Sequence, residues 1–143
     1  MKVTSLIDLR QQLAAYLAPL LPDCEILYSM PTVRHPLEAG VVTLVISDHR
    51  VKRCEDTLPG GGALLLEVGL RLTALHRDSM EAAEEAAERL TALTLRGDFP
   101  CEAAGLEWGE TGFLRGCGAF ARQGILTVYC ELAEAPDSEE AAV

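Results

Sequence analysis

A chain of 143 residues with 49% hydrophobic content is long enough for one cored domain and too apolar for wholesale disorder. Its net charge of −10 disfavours direct binding to DNA or RNA, which needs clustered Lys and Arg to displace counterions. No apolar run approaches the roughly 18 residues of a membrane span. The opening Met1-Lys2-Val3-Thr4, with Asp8 and Arg10 close behind, does not read as a signal peptide, so an intracellular chain, or one released by lysis, is expected.

Ser5-Leu6-Ile7-Asp8 has capping-box form, and Leu6, Leu9, Leu13, Tyr16, Leu17 and Leu20 follow at helical intervals. An amphipathic helix over residues 5–18 is predicted, ended by Pro19 and Pro22. Residues 24–30 alternate as a short strand, and Pro31 and Pro36 frame a loop with Arg34 and His35. Residues 41–47 are a β-branched apolar run and predict a buried strand. Residues 48–62 then turn polar and Gly-rich, which predicts a mobile loop carrying Arg50, Lys52 and Arg53.

Residues 64–97 are the organising stretch. Leu64, Leu66, Val68, Leu70, Leu72 and Ala74 occupy alternate positions and would line one face of a long strand. The other face, from Leu65 and Glu67 to Arg71 and Thr73, is mixed, which favours an antiparallel sheet wet on one side. Part of so long a strand is expected to pair or pack outside the domain. Asp78-Ser79-Met80-Glu81 reads as a second capping box. Met80, Ala83, Ala87, Leu90 and Leu93 form the apolar stripe of the helix that follows, and Gly97 suits a left-handed C′ position. Residues 101–108 predict a strand, residues 110–118 an irregular connection, and residues 119–132 a closing strand. The tail, residues 134–143, is acidic and predicts disorder. The fold class is α+β: a twisted, mainly antiparallel sheet of four or five strands packed by two helices, in the order α-β-β-β-α-β-β, with residues 1–133 as one domain.

Candidate chemistry is sparse. His35, His49 and His76 show no metal-ligand spacing, and Cys24, Cys54, Cys101, Cys117 and Cys130 form no CxxC pair, so reduced thiols are expected and no metal site. Cys54 near His49 is the one local nucleophile–base candidate, but a loop is a poor place to fix such a pair. Gly60-Gly61-Gly62 precedes a strand and lacks the helix and lysine of a phosphate loop. Glu81, Glu84, Glu85 and Glu88 read as a solvated helix face. Trp108 reads as a core residue, and for Phe113, between Gly112 and Leu114 in an irregular stretch, contact with another chain is the alternative to a core role. No catalytic, cofactor-binding or metal residues are assigned, no cofactor is expected, and the chain reads as a non-enzyme.

Several of these patterns together resemble the tail terminator family (tail completion, minor capsid proteins) of bacteriophages and prophages. The resemblance is carried by the helix around Leu9-Arg10-Gln11-Gln12-Leu13, the strand from Leu64 to Thr73, and the alanine-rich helix from Ser79 to Leu95. The closing segment from Arg115-Gly116-Cys117-Gly118 to Ile125-Leu126-Thr127-Val128 completes it. It implies a ring, typically a hexamer, that caps the tail tube, stops its polymerisation and joins it to the head connector. The implied partners are further copies of the chain, the tube protein, the head-connector protein, and DNA passing through without specific binding. No membrane is involved. The implied location is the virion tail, after assembly from the host cytoplasm. Arg50, Lys52, Arg53 and Phe113 are the expected subunit or lumen contacts. Another neck component and a small intracellular ferredoxin-like ligand-binding domain are the alternatives.

Overall fold

The computed structural model describes residues 1–32, 34, 37–54 and 63–133. In chain order these form β1 (Lys2–Val3), α1 (Leu6–Leu17) and a 3-10 turn at Ala18–Leu20, then β2 (Cys24–Leu27), β3 (Val42–Arg53) and β4 (Ala63–His76). They continue as α2 (Met80–Thr94), β5 (Glu102–Trp108), β6 (Gly112–Leu114) and β7 (Ala119–Ala133).

β7 is the spine of the sheet. One edge pairs with β4 from Phe120↔His76 to Ala133↔Ala63. With that edge filled, the other carries β6, β5 and β1 in succession, opposite residues 119–121, 124–129 and 131–132. Beyond β4 come β3 and then β2. The α+β class is as the sequence predicts, but the sheet has seven strands and is mixed. β1 pairs parallel with β7, and β2 parallel with β3. A parallel β2–β3 pair requires a crossover between Leu27 and Val42, which the proline-framed loop did not advertise. The predicted order also lacked β1 and β6, both too short to show a periodicity.

Alternation along β4 is realised. Leu66, Val68, Leu70, Leu72 and Ala74 are buried on the face that both helices cover, whereas Leu64 is 36% exposed. Leu9, Leu13 and Leu17 of α1, and Ala83, Ala86, Ala87 and Leu90 of α2, meet them in one core. The small α2 side chains let the helix approach the sheet closely, at the cost of less apolar area per residue. Met80 falls outside this stripe and is 46% exposed.

A second, smaller core lies on the helix-free face, at one end only. Val45 and Leu75 pack there with Leu37, Cys117, Ala119 and Ala121. Among the described residues, the other end of that face, toward the β3–β4 connection, carries no such cluster.

The helix caps differ in part from expectation. Ser5 caps α1 by accepting from the Asp8 amide at 3.0 Å, and Asp8 reaches back to accept from the Thr4 amide at 2.9 Å. α2 is capped by Ser79, which accepts from Ala82, so Asp78 is not the cap and Glu81 does not close a box. Asp78 instead accepts from the Gly40 amide at 3.3 Å. The entry to α2 gains a partner that sequence spacing could not show: His76 Nδ1 accepts from both the Asp78 and Ser79 amides. Gly97 does not adopt a left-handed backbone; Gly40 and Gly118 do, at φ 78° and 66°.

The largest correction concerns residues 48–53. They continue β3 to Arg53, where their polarity had predicted a loop. Residues 55–62, the rest of that predicted mobile loop, and the acidic tail at 134–143 lie outside the described residues.

Candidate interaction surface at the hairpin end of the sheet

β3 changes character along its length. Residues 43–46 are buried, whereas residues 48–53 are exposed, Val51 to 44%. The change coincides with two events. β2 ends its pairing with β3 at Val45, so the outer edge of β3 has no strand partner over residues 46–53 among the described residues. The register against β4 also shifts between Asp48 and Arg50, leaving His49 as the extra residue of a bulge. A bulge bends the strand and re-aims the side chains beyond it.

After the bulge, Arg50 and Lys52 stand level with Gly69 and Glu67 of β4. The same rows continue through Thr127 and Tyr129 of β7 to Gly105 and Glu102 of β5. Residues opposite one another across a sheet share a face, so these side chains all belong to the helix-free side. The Tyr129 hydroxyl donates to Glu67 Oε1 at 3.3 Å, and Arg50 lies 3.6 Å from Glu67 Oε2. The Glu67 charge, followed by burial, raises the Tyr129 phenol above its ordinary value. Arg71 reaches His49 Nδ1 at 3.2 Å.

Two adjoining hollows result. One, of about 550 Å³, is lined by Lys52, Arg53, Cys54, Leu65, Glu67, Glu102 and Tyr129. The other, of about 470 Å³, is lined by His49, Arg50, Glu67, Glu107, Thr127 and Tyr129, among others. Cys54 and His49 therefore line different hollows, and the His49 ring is engaged by Arg71. Among the described residues no three His, Cys, Asp or Glu side chains converge as metal ligands, and no helix is long and apolar enough to cross a membrane.

Of the four residues singled out from sequence, Arg50 and Lys52 share the helix-free face at the end of β3, whereas Arg53, opposite Leu66, falls on the other face. Phe113 does not join them. It lies on β6, opposite Phe120, and β7 runs from there to Tyr129 for roughly 30 Å at about 3.3 Å per residue. Phe113 is 53% exposed, and its ring meets Phe120 edge-on at 5.2 Å. Trp108 is half-buried against α2, where its indole N–H donates to Thr91 Oγ1 at 2.7 Å. Glu67, Glu102, Glu107 and Tyr129 were not singled out from sequence. Their alternation was visible, but only the strand register shows that they share rows.

No family model matches the chain, and no curated protein sequence matches it. Among solved structures, it is similar to the sheath/tube terminator of the PVC extracellular contractile injection system in its extended state. The TM-score is 0.49 and the identity 13%. The alignment covers 100% of this chain and 64% of that one, so this chain spans less than two thirds of its neighbour's length. A likeness at that level carries no argument about function.

Proposed function

We propose that the chain is a tail-terminator-like structural subunit, which assembles with copies of itself into a ring at the end of a phage-type tail tube. The observation that carries this reading is the outer half of β3. Residues 48–53 continue β3 as an exposed, bulged strand whose outer edge has no strand partner among the described residues. A domain that stood alone would gain little from extending a strand into water, because ordering each residue costs about 1–2 kcal/mol of backbone entropy. A subunit recovers that cost when a neighbour packs there. The resemblance in sequence pattern to tail terminators agrees with this.

On this reading the ring closes the tube, ends its polymerisation and presents a face to the head connector. The family resemblance makes a hexamer the expected closure. A net charge of −10 suits a conduit that DNA crosses without adhering. The role is architectural, with no reaction and no cofactor.

The hollow of about 550 Å³ favours a second reading, a small ligand-binding domain, since Lys52, Glu67, Glu102 and Tyr129 there offer both donors and acceptors to a small polar molecule. Negative-stain imaging combined with native mass spectrometry separates the two. Closed rings that arrest growth of tube protein in a mixing assay support the terminator. A monomer or dimer that retains a small polar metabolite supports the binding domain.

A further inference from the structure

The ring reading leaves open which surfaces meet, and the sheet edges answer that question. We propose that the open edge of β3 in one copy pairs with the outer edge of β5 in the next, joining the sheets of successive subunits; this rests on the ring reading above.

Three observations converge on these edges. The first is availability. β3 has no strand partner outside residues 42–45 on its outer side, and β5 pairs only with β7, so both edges are bare among the described residues. Unpaired backbone amides and carbonyls on an exposed strand are a template for a further strand. The two edges also match in length, residues 46–53 against Glu102–Trp108.

The second is direction. β4 runs opposite to both β3 and β7, and β5 runs opposite to β7. β3 and β5 therefore run in opposite senses within one subunit. A cyclic ring repeats every copy in the same sense, so β3 of one subunit meets β5 of the next as an antiparallel pair. No strand needs to reverse, and the interface is head-to-tail, as ring closure requires.

The third is charge. The β3 edge carries Arg50, Lys52 and Arg53 with only Asp48 opposing them, whereas the β5 edge carries Glu102 and Glu107. Opposite charges across a strand pair stabilise it, and like charges destabilise it. Two β3 edges would set three cations against three, which disfavours a two-fold dimer through that edge. The bulges at His49 and Ala104 bend both strands and discourage flat, unselective pairing.

The test compares the full chain with the variants Lys52→Glu/Arg53→Glu and Glu102→Lys/Glu107→Lys, and with all four changes combined. Native mass spectrometry reads assembly, and far-UV circular dichroism confirms folding. Each charge-reversed pair is expected to weaken association about tenfold or more, and the combined chain to recover most of it, because the attraction is restored with its sign reversed. Glu84→Lys/Glu85→Lys, on the acidic side of α2, should leave the ring intact. Folded variants that keep the ring, a combined chain no better than either pair, or a ring lost through the α2 change would each overturn the edge pairing while the ring reading stands. A wild-type chain that stays monomeric would remove both.

Discussion

Tyr129 and Glu67 face each other across the β4–β7 pairing, and the phenol donates to the carboxylate at 3.3 Å. The contact sits midway between the basic end of β3 and the acidic end of β5, in the row that contains Lys52 and Glu102. It anchors the centre of the surface on which the functional reading rests.

A titration consequence follows from that pair. The Glu67 charge is the first cause of the raised Tyr129 pKa. The hydrogen bond contributes fully below the ordinary phenol range and is lost as pH rises through the raised value. Glu67→Gln should therefore move one tyrosine transition toward lower pH in an ultraviolet titration of the folded chain. An unchanged titration would mean that the two side chains do not interact in solution.

Gly124 admits Trp108. A Cβ at that position would stand 2.6 Å from the indole Cε3 and 2.9 Å from the Glu107 carbonyl oxygen. Gly124→Ala should destabilise the fold by about 1–3 kcal/mol, the range for overpacking, and disturb the Trp108–Thr91 hydrogen bond. Gly105, also on the β5–β7 ladder, has nothing within 4 Å of its would-be Cβ, so Gly105→Ala should stay within about 0.5 kcal/mol of wild type. Denaturant melts followed by tryptophan fluorescence compare the two, and equal effects would contradict the packing described.

Acid should loosen α1 through Asp8. Its carboxylate accepts from the Thr4 amide and from Gln12 Nε2, which holds its pKa below the ordinary value. That contribution is complete above the ordinary aspartate range and is lost as pH falls through the lowered value. Asp23 behaves alike because Arg89 stands 3.4 Å away and ties the turn after α1 to α2. Asp8→Asn should flatten the acid limb of a stability–pH curve, and a limb identical to wild type would show that the cap does not contribute.

The buried thiols should be slow to react. Burial pushes Cys101 up to about 12, and Cys117 and Cys130 are also buried and raised. Thiolates are the reactive form, so alkylation of these three in the folded chain should wait on local opening of the fold. Peptide mapping after a short iodoacetamide pulse should find them the least modified of the five, and labelling as fast as in denaturant would contradict their burial.

Elements with internal period were legible in the sequence. α1 emerged from its Leu spacing, and β4 from six alternating apolar residues. The outer half of β3 was not legible, because a strand exposed to water has no reason to alternate, and Asp48 to Arg53 read as loop composition. Parallel pairing was hidden for a different reason: β1 and β2 are set by where the chain crosses over, not by their own residues. The basic trio of the candidate surface was visible as residues. Its acidic counterpart was not, since Glu102 is distant in sequence from Lys52 and joins its row only through two intervening strands.

The central claim is that this domain works as copies joined in a closed ring through the outer edge of β3, which has no strand partner over residues 46–53 among the described residues. Native mass spectrometry of the purified full chain across a concentration series tests it most directly. The account predicts one closed oligomer, a hexamer by the family resemblance, that dissociates as salt rises because oppositely charged edges hold it. A monomer at every concentration, with no assembly on adding tube protein, would contradict it.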